Sequence, residues 1–136
     1  HRMLKDSRGE LWVTAASGLY RFRRDQRVDR WSTGEGITVD KSTALSEAEG
    51  SIWIGSQTEL LRLTVDPRTS EALIANRATI AEGLPSGYVV DVRSWRGELW
   101  AATFEGLARM LPDGRWQAVE LHPNLDTTPL SVLTVD

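Results

Sequence analysis

Three stretches of this chain share one pattern: Gly9-Glu10-Leu11-Trp12-Val13, Gly50-Ser51-Ile52-Trp53-Ile54 and Gly97-Glu98-Leu99-Trp100-Ala101. Each runs Gly, polar, aliphatic, Trp, then small or aliphatic. The agreement continues downstream. Seven residues after each Trp stands Leu19, Leu60 or Leu107, and nine after stands Arg21, Arg62 or Arg109. Phe22, Leu63 and Met110 follow directly. The tryptophans are 41 and 47 residues apart, and a period of about 40–50 residues belongs to propellers and repeat arrays.

Helical repeats of that period would need apolar stripes at 3.6-residue spacing. The chain instead carries short β-rich runs broken by turn residues: Leu11–Thr14, Leu19–Phe22, Val28–Ser32, Ile52–Gly55, Leu60–Val65, Tyr88–Val92, Leu99–Thr103, Leu107–Leu111, Arg115–Val119 and Leu130–Val135. Asp113-Gly114 is a hairpin turn signal. Arg8-Gly9, Glu49-Gly50 and Arg96-Gly97 place Gly before each Trp strand, where a tight turn needs positive φ. Each unit is therefore expected to be a meander of four strands. An inner strand (Ser42–Glu47, Tyr88–Ser94) leads into the Trp strand, the Leu-x-Arg strand and an outer strand carrying Trp31 or Trp116, with Ile80 near that place in the middle copy.

The expected fold is all-β: three four-stranded antiparallel propeller blades and the first strand of a fourth. The blades fall at about 1–37, 38–84 and 85–128, and the fourth begins at about 129–136. The first copy keeps only Arg2–Lys5 of its inner strand.

Composition fits one globular domain. The 136 residues are 40% hydrophobic and 26% charged, with 16 basic and 19 acidic side chains and a net charge of −3. That balance offers nucleic acid no basic face. No apolar run nears the ~20 residues of a membrane helix, and the first residues lack an apolar signal-peptide core. The absence of cysteine removes disulfides and thiol chemistry. His1 and His122 do not make a metal site, which needs several converging ligands, and no catalytic triad spacing or phosphate loop is present. Neither metal nor cofactor is expected.

Trp12, Trp53 and Trp100 are expected to pack between blades, and Arg21, Arg62 and Arg109 to make inter-blade ion pairs or carbonyl contacts, with a ring of cations facing a central anion as the other reading. Trp95, in the turn Ser94-Trp95-Arg96-Gly97, is expected to fold onto its own blade, with a contact surface as the other reading. A small-molecule site is expected where outer strands join the next inner strands, at 34–41, 83–88 and 123–128. Glu35, Asp40, Lys41, Ser86, Tyr88, Asn124 and Asp126 are the residues there that can hydrogen-bond a polyol or sugar.

These motifs resemble the two-component regulator propeller repeat. The likeness lies in Asp6-Ser7-Arg8-Gly9-Glu10-Leu11-Trp12-Val13 with Gly18-Leu19-Tyr20-Arg21, in Gly50-Ser51-Ile52-Trp53-Ile54-Gly55-Ser56, in Gly106-Leu107-Ala108-Arg109, and in the loops Gly36-Ile37 and Gly83-Leu84-Pro85-Ser86. Glu59 stands where the repeat has Gly, and 121–129 lacks the Gly-Leu pair. The resemblance implies a non-catalytic sensory segment on the periplasmic side of a bacterial membrane-bound sensor, with carbohydrate as an implied ligand class. Two readings stand beside it: a fragment of a streptogramin-lyase-like or lactonase-like enzyme, in which His122 could serve as the catalytic His only by assembly with missing blades, and a protein-interaction scaffold. Propellers usually close with about 4–8 blades, so three imply either a piece of a longer ring or self-association into six, with 130–135 pairing into a partner's first blade.

Overall fold

In a computed structural model of the chain, residues 2–32 and 42–119 are described. They form twelve strands in three separate antiparallel sheets, each with its four strands in chain order. The first sheet holds β1 (Arg2–Lys5), β2 (Leu11–Ala15), β3 (Gly18–Phe22) and β4 (Val28–Trp31). The second holds β5 (Ala44–Ala48), β6 (Ser51–Gly55), β7 (Leu60–Val65) and β8 (Ala72–Ala78). The third holds β9 (Val89–Trp95), β10 (Glu98–Thr103), β11 (Gly106–Met110) and β12 (Trp116–Val119). These are the propeller blades expected from the repeat. The trailing strand expected at 130–135, and His122, lie outside the described residues.

Two of the expected turns have the backbone that hairpins favour. Glu49 and Gly50 both have positive φ (52° and 72°), as do Arg96 and Gly97 (51° and 76°), which suits the twist of the strands they join. Trp95 closes β9 rather than lying in the turn. The first blade solves the same corner with a side chain: Asp6 Oδ1 accepts from the amides of Arg8 and Glu10, both at 2.9 Å. Where the middle copy loses the repeat's Gly to Glu59, the β6–β7 turn is longer. Ser56 Oγ holds it by accepting from the amides of Thr58 (3.2 Å) and Glu59 (3.0 Å).

One strand departs from expectation. The outer strand of the middle blade is β8, and Ile80 lies beyond it in a 3₁₀ turn, Ile80–Glu82, with its side chain exposed. Ala72 to Arg77 alternates between half-buried and exposed residues, only Ala78 is fully buried, and the strand carries no Trp, so the repeat's landmark is missing there.

Period-two alternation gives each blade two faces. In the second blade Ile52, Ile54, Leu61 and Leu63 point one way and pack with Trp12 and Leu19 of the first blade. Trp53 and Leu60 point the other way and pack with Val92, Leu99, Ala101, Ala108 and Trp116 of the third. The rule is a Trp face against the aliphatic face of the next blade. Polar contacts follow the same stacking: the Ser7 amide donates to Glu47 Oε1 at 2.8 Å across the first boundary, and Ser94 Oγ donates to Glu49 across the second.

Two faces remain without a neighbouring blade among the described residues. On the first blade it is the aliphatic face, where Met3, Phe22 and Val28 are exposed. On the third it is the Trp face, with Trp100 and Arg109. Trp12 and Trp53 are buried between blades as expected (0% and 2% exposed), whereas Trp100 is only half-buried. The same residue has a different environment because no following blade covers it among the described residues.

Candidate functional site

Of the expected ligand-binding residues, Ser86 and Tyr88 are described. Glu35, Asp40, Lys41, Asn124 and Asp126 lie outside the described residues. Ser86 and Tyr88 come together in the connection from β8 to β9, where Ser86 Oγ accepts from the Tyr88 amide at 3.1 Å. The Tyr88 ring stands 5.5 Å from Phe104, whose amide donates to the Tyr88 carbonyl at 2.9 Å. Phe104 is more than half exposed and extends this end of the third blade with a second ring. The sequence reading passed over it because it lies in the β10–β11 turn, outside the compared repeat positions.

The repeated Trp and Arg positions meet in register. Trp12 pairs with Arg21, Trp53 with Arg62 and Trp100 with Arg109 across adjacent strands. The guanidinium of Arg21 lies 5.3 Å from the Trp12 ring centre and that of Arg62 lies 5.1 Å from Trp53. Their polar partners differ from blade to blade. Arg21 is fully buried and donates through Nε to Glu10 Oε1 at 2.8 Å, with Asp29 Oδ2 at 3.5 Å. It also donates to the carbonyl of Ser70 in the next blade, the inter-blade contact expected of this position. Arg109 donates to Gln117 Oε1 at 2.9 Å and has Glu98 Oε2 at 3.6 Å. Among the described residues Arg62 has a single polar partner, Ser51 Oγ at 2.9 Å.

The reason is substitution at the two places that supply acid in the first blade. Glu10, Ser51 and Glu98 are equivalent in the repeat, each lying two residues before the Trp. Asp29 faces Arg21, Asn76 faces Arg62 and Gln117 faces Arg109. The middle blade thus has Ser and Asn where the first has Glu and Asp. Beside Arg62 opens a cleft of about 590 Å³ between the second and third blades, lined by the apolar Leu99, Met110 and Leu111 and by the charged Glu49, Glu98 and Arg109. It lies at the end carrying the β9–β10 and β11–β12 turns, opposite the end where Ser86 and Tyr88 stand.

The indole N–H groups also diverge. Trp12 Nε1 donates to Asp6 Oδ2 at 2.9 Å and Trp53 Nε1 to the Ala48 carbonyl at 3.1 Å. Trp100 Nε1 is buried without a partner among the described residues. Asp6 is itself buried. Burial pushes its carboxyl up, but hydrogen bonds from Trp12, Glu10 and Arg8 outweigh that and hold it below the ordinary carboxylate value. Trp95 is 39% exposed and stands edge-on to Trp100, 5.9 Å between centres, so it does fold onto its own blade. No cluster of His, Asp and Glu able to hold a metal occurs among the described residues, and no helix among them is long and apolar enough to cross a membrane.

No protein-family model matches the sequence, and no curated protein matches it. Solved structures do. The extracellular domain of BT3049 from B. thetaiotaomicron, described as a hybrid two-component system, superposes with a TM-score of 0.69 at 17% identity over 93% of this chain. Virginiamycin B lyase from Staphylococcus aureus gives 0.58 at 16% identity over 90% of it. The extracellular domain of BT4673 from B. thetaiotaomicron, also described as a hybrid two-component system, gives 0.50 at 14% over 94%. The chain spans 17%, 41% and 22% of those proteins, respectively. At this identity the likeness is one of fold, and it is the fold the repeat motif led to: the chain is a set of three propeller blades, an architecture it shares with an extracellular domain of a two-component system and with a lyase alike.

Proposed function

We propose that this chain is a sensory, ligand-binding segment of a two-component-type signal-transduction protein, acting on the outer side of a membrane without catalysis of its own. The observation that carries this reading is the stack of three Trp-bearing blades with the fold of the BT3049 extracellular domain. A rigid stack of this kind fixes its blade-to-blade connections in space, and such connections hold ligands in many scaffolds. Ser86 and Tyr88 offer hydroxyl groups there, with the Tyr88 and Phe104 rings beside them. That combination suits a polyol or sugar, which takes hydrogen bonds at its edges and apolar contact on its faces. A ligand acts on signalling only through unequal affinity for two arrangements of the blades.

The two faces that no described residue covers supply those arrangements. They are the two halves of an interface that the chain already makes twice internally, a Trp face on an aliphatic face. A second copy joins both and gives a ring of six blades, inside the usual ~4–8. One point of this joint is unfavourable. Lys5 occupies the register position of Glu47 and Ser94, so it comes beside the Arg96 turn of the partner. Salt screening of that like-charge pair therefore strengthens the association.

The test is thermal unfolding of the chain against a panel of mono- and oligosaccharides, with turnover assays on lactones and cyclic esters in parallel. Saturable stabilisation by one member without product supports the sensory reading. Product formation by the purified chain overturns it and favours a lyase-like enzyme.

A further inference from the structure

We infer that the cleft between the second and third blades is a binding site for a small organic monocarboxylate, held by Arg62. This rests on the geometry of the cleft alone and not on the sensory reading, which concerns the opposite end of the blades.

The repeat supplies its own control. Arg21 is neutralised by Glu10 and Asp29 and capped by the Ser70 carbonyl. Arg62 occupies the same strand position against the same ring, yet Ser51 and Asn76 replace both acids. Its Nε is taken by Ser51 Oγ at 2.9 Å, and its two terminal nitrogens have no protein partner among the described residues. The turn that caps Arg21 is Asp66–Ser70. The equivalent turn of the third blade lies between β11 and β12 and approaches Asn76 instead, where a Cβ built on Gly114 would stand 3.4 Å from the Asn76 side-chain amide nitrogen. A guanidinium whose terminal edge faces an open cleft is a two-pronged donor shaped for carboxylate or phosphate.

The rest of the cleft selects between these. Leu99, Met110 and Leu111 provide apolar surface for a short carbon chain. Arg109 also lines the cleft and has Glu98 at 3.6 Å, so Glu49 is the lining acid left to repel added negative charge, which favours a monoanion over a phosphate dianion. The ligand takes the place of the missing Glu10-type carboxylate.

The experiment is calorimetric and NMR titration of the 136-residue chain with pentanoate, with 1-pentanol and inorganic phosphate as comparisons. Saturable pentanoate binding is expected, at least tenfold tighter than 1-pentanol or phosphate. Arg62→Met keeps the stem over Trp53 and is expected to weaken pentanoate at least tenfold. Ser51→Glu restores the carboxylate of the first blade, so it is expected to abolish binding while keeping or raising the melting temperature. That variant separates loss of the site from loss of the fold. Absence of pentanoate binding to the parent chain overturns the inference. So does equal binding of pentanol, tighter binding of phosphate, or unchanged affinity in a folded Ser51→Glu chain.

Discussion

Arg21 and Glu10 form a buried ion pair, Nε to Oε1 at 2.8 Å, on the face of the first blade that packs against the second. The pair closes a blade boundary that the next boundary leaves open at Arg62. Removing Glu10 leaves the buried guanidinium with only the longer contact to Asp29, at 3.5 Å, as counter-charge. Glu10→Ala is therefore expected to destabilise the chain by about 3–5 kcal/mol. Ser51→Ala, at the equivalent place, removes one neutral acceptor and is expected to cost about 1 kcal/mol. Urea unfolding of the two variants measures the contrast. Equal losses would contradict the difference drawn between the two boundaries.

The three repeated tryptophans are expected to differ in the same way. Trp53 is buried between two blades and stands edge-on to Trp116 at 6.0 Å. Trp53→Ala is expected to cost about 3–5 kcal/mol. Trp100 lies on a face with no neighbour among the described residues, so under conditions that keep the chain monomeric Trp100→Ala is expected to cost less than half as much. Denaturant midpoints of both variants decide this.

Gly83 and Gly50 make a matched pair in the backbone. Both have positive φ, 105° and 72°. A Cβ on Gly83 would fall 1.8 Å from the Trp116 carbonyl oxygen, whereas one on Gly50 meets nothing within 4 Å. Gly50→Ala therefore bears only the left-handed backbone cost, about 1 kcal/mol. Gly83→Ala must also move the connection between the second and third blades and is expected to cost several times more. Thermal unfolding of the two variants is the check.

Asp6 makes stability depend on acid. Its carboxyl is held below the ordinary value when folded, against about 3.9 when unfolded. The unfolded chain then binds the proton more readily than the folded one. The contribution of Asp6 is fully present above pH ~4 and is lost as pH falls through the lower folded value. Asp6→Asn is expected to flatten that part of the urea midpoint against pH curve. An unchanged acid limb would contradict the role of the Trp12, Glu10 and Arg8 hydrogen bonds.

Much of the architecture was legible because the repeat marks it with large residues. Trp12, Trp53 and Trp100 register the blades, and Gly50 and Gly97 mark turns that need positive φ. The outer strand of the middle blade was not legible, since Ala72 to Ala78 has no Trp and only a weak alternation, and Ile80 drew attention to the wrong place. The cleft at Arg62 was not legible either. Ser51 and Asn76 are unremarkable alone and become informative only when register sets them beside Glu10 and Asp29. Burial of Trp100 was expected from its repeat position, but burial belongs to an interface and not to a residue, and its interface partner is missing from the described residues.

The six-bladed ring proposed above rests on each Trp face packing on an aliphatic blade face, including the two that no described residue covers. The most direct measurement is the solution mass by light scattering coupled to size exclusion, for the parent chain and for Trp100→Glu. A particle of twice 15.2 kDa is expected for the parent and a single chain for the variant. A parent chain that is folded and monomeric at all concentrations would contradict it.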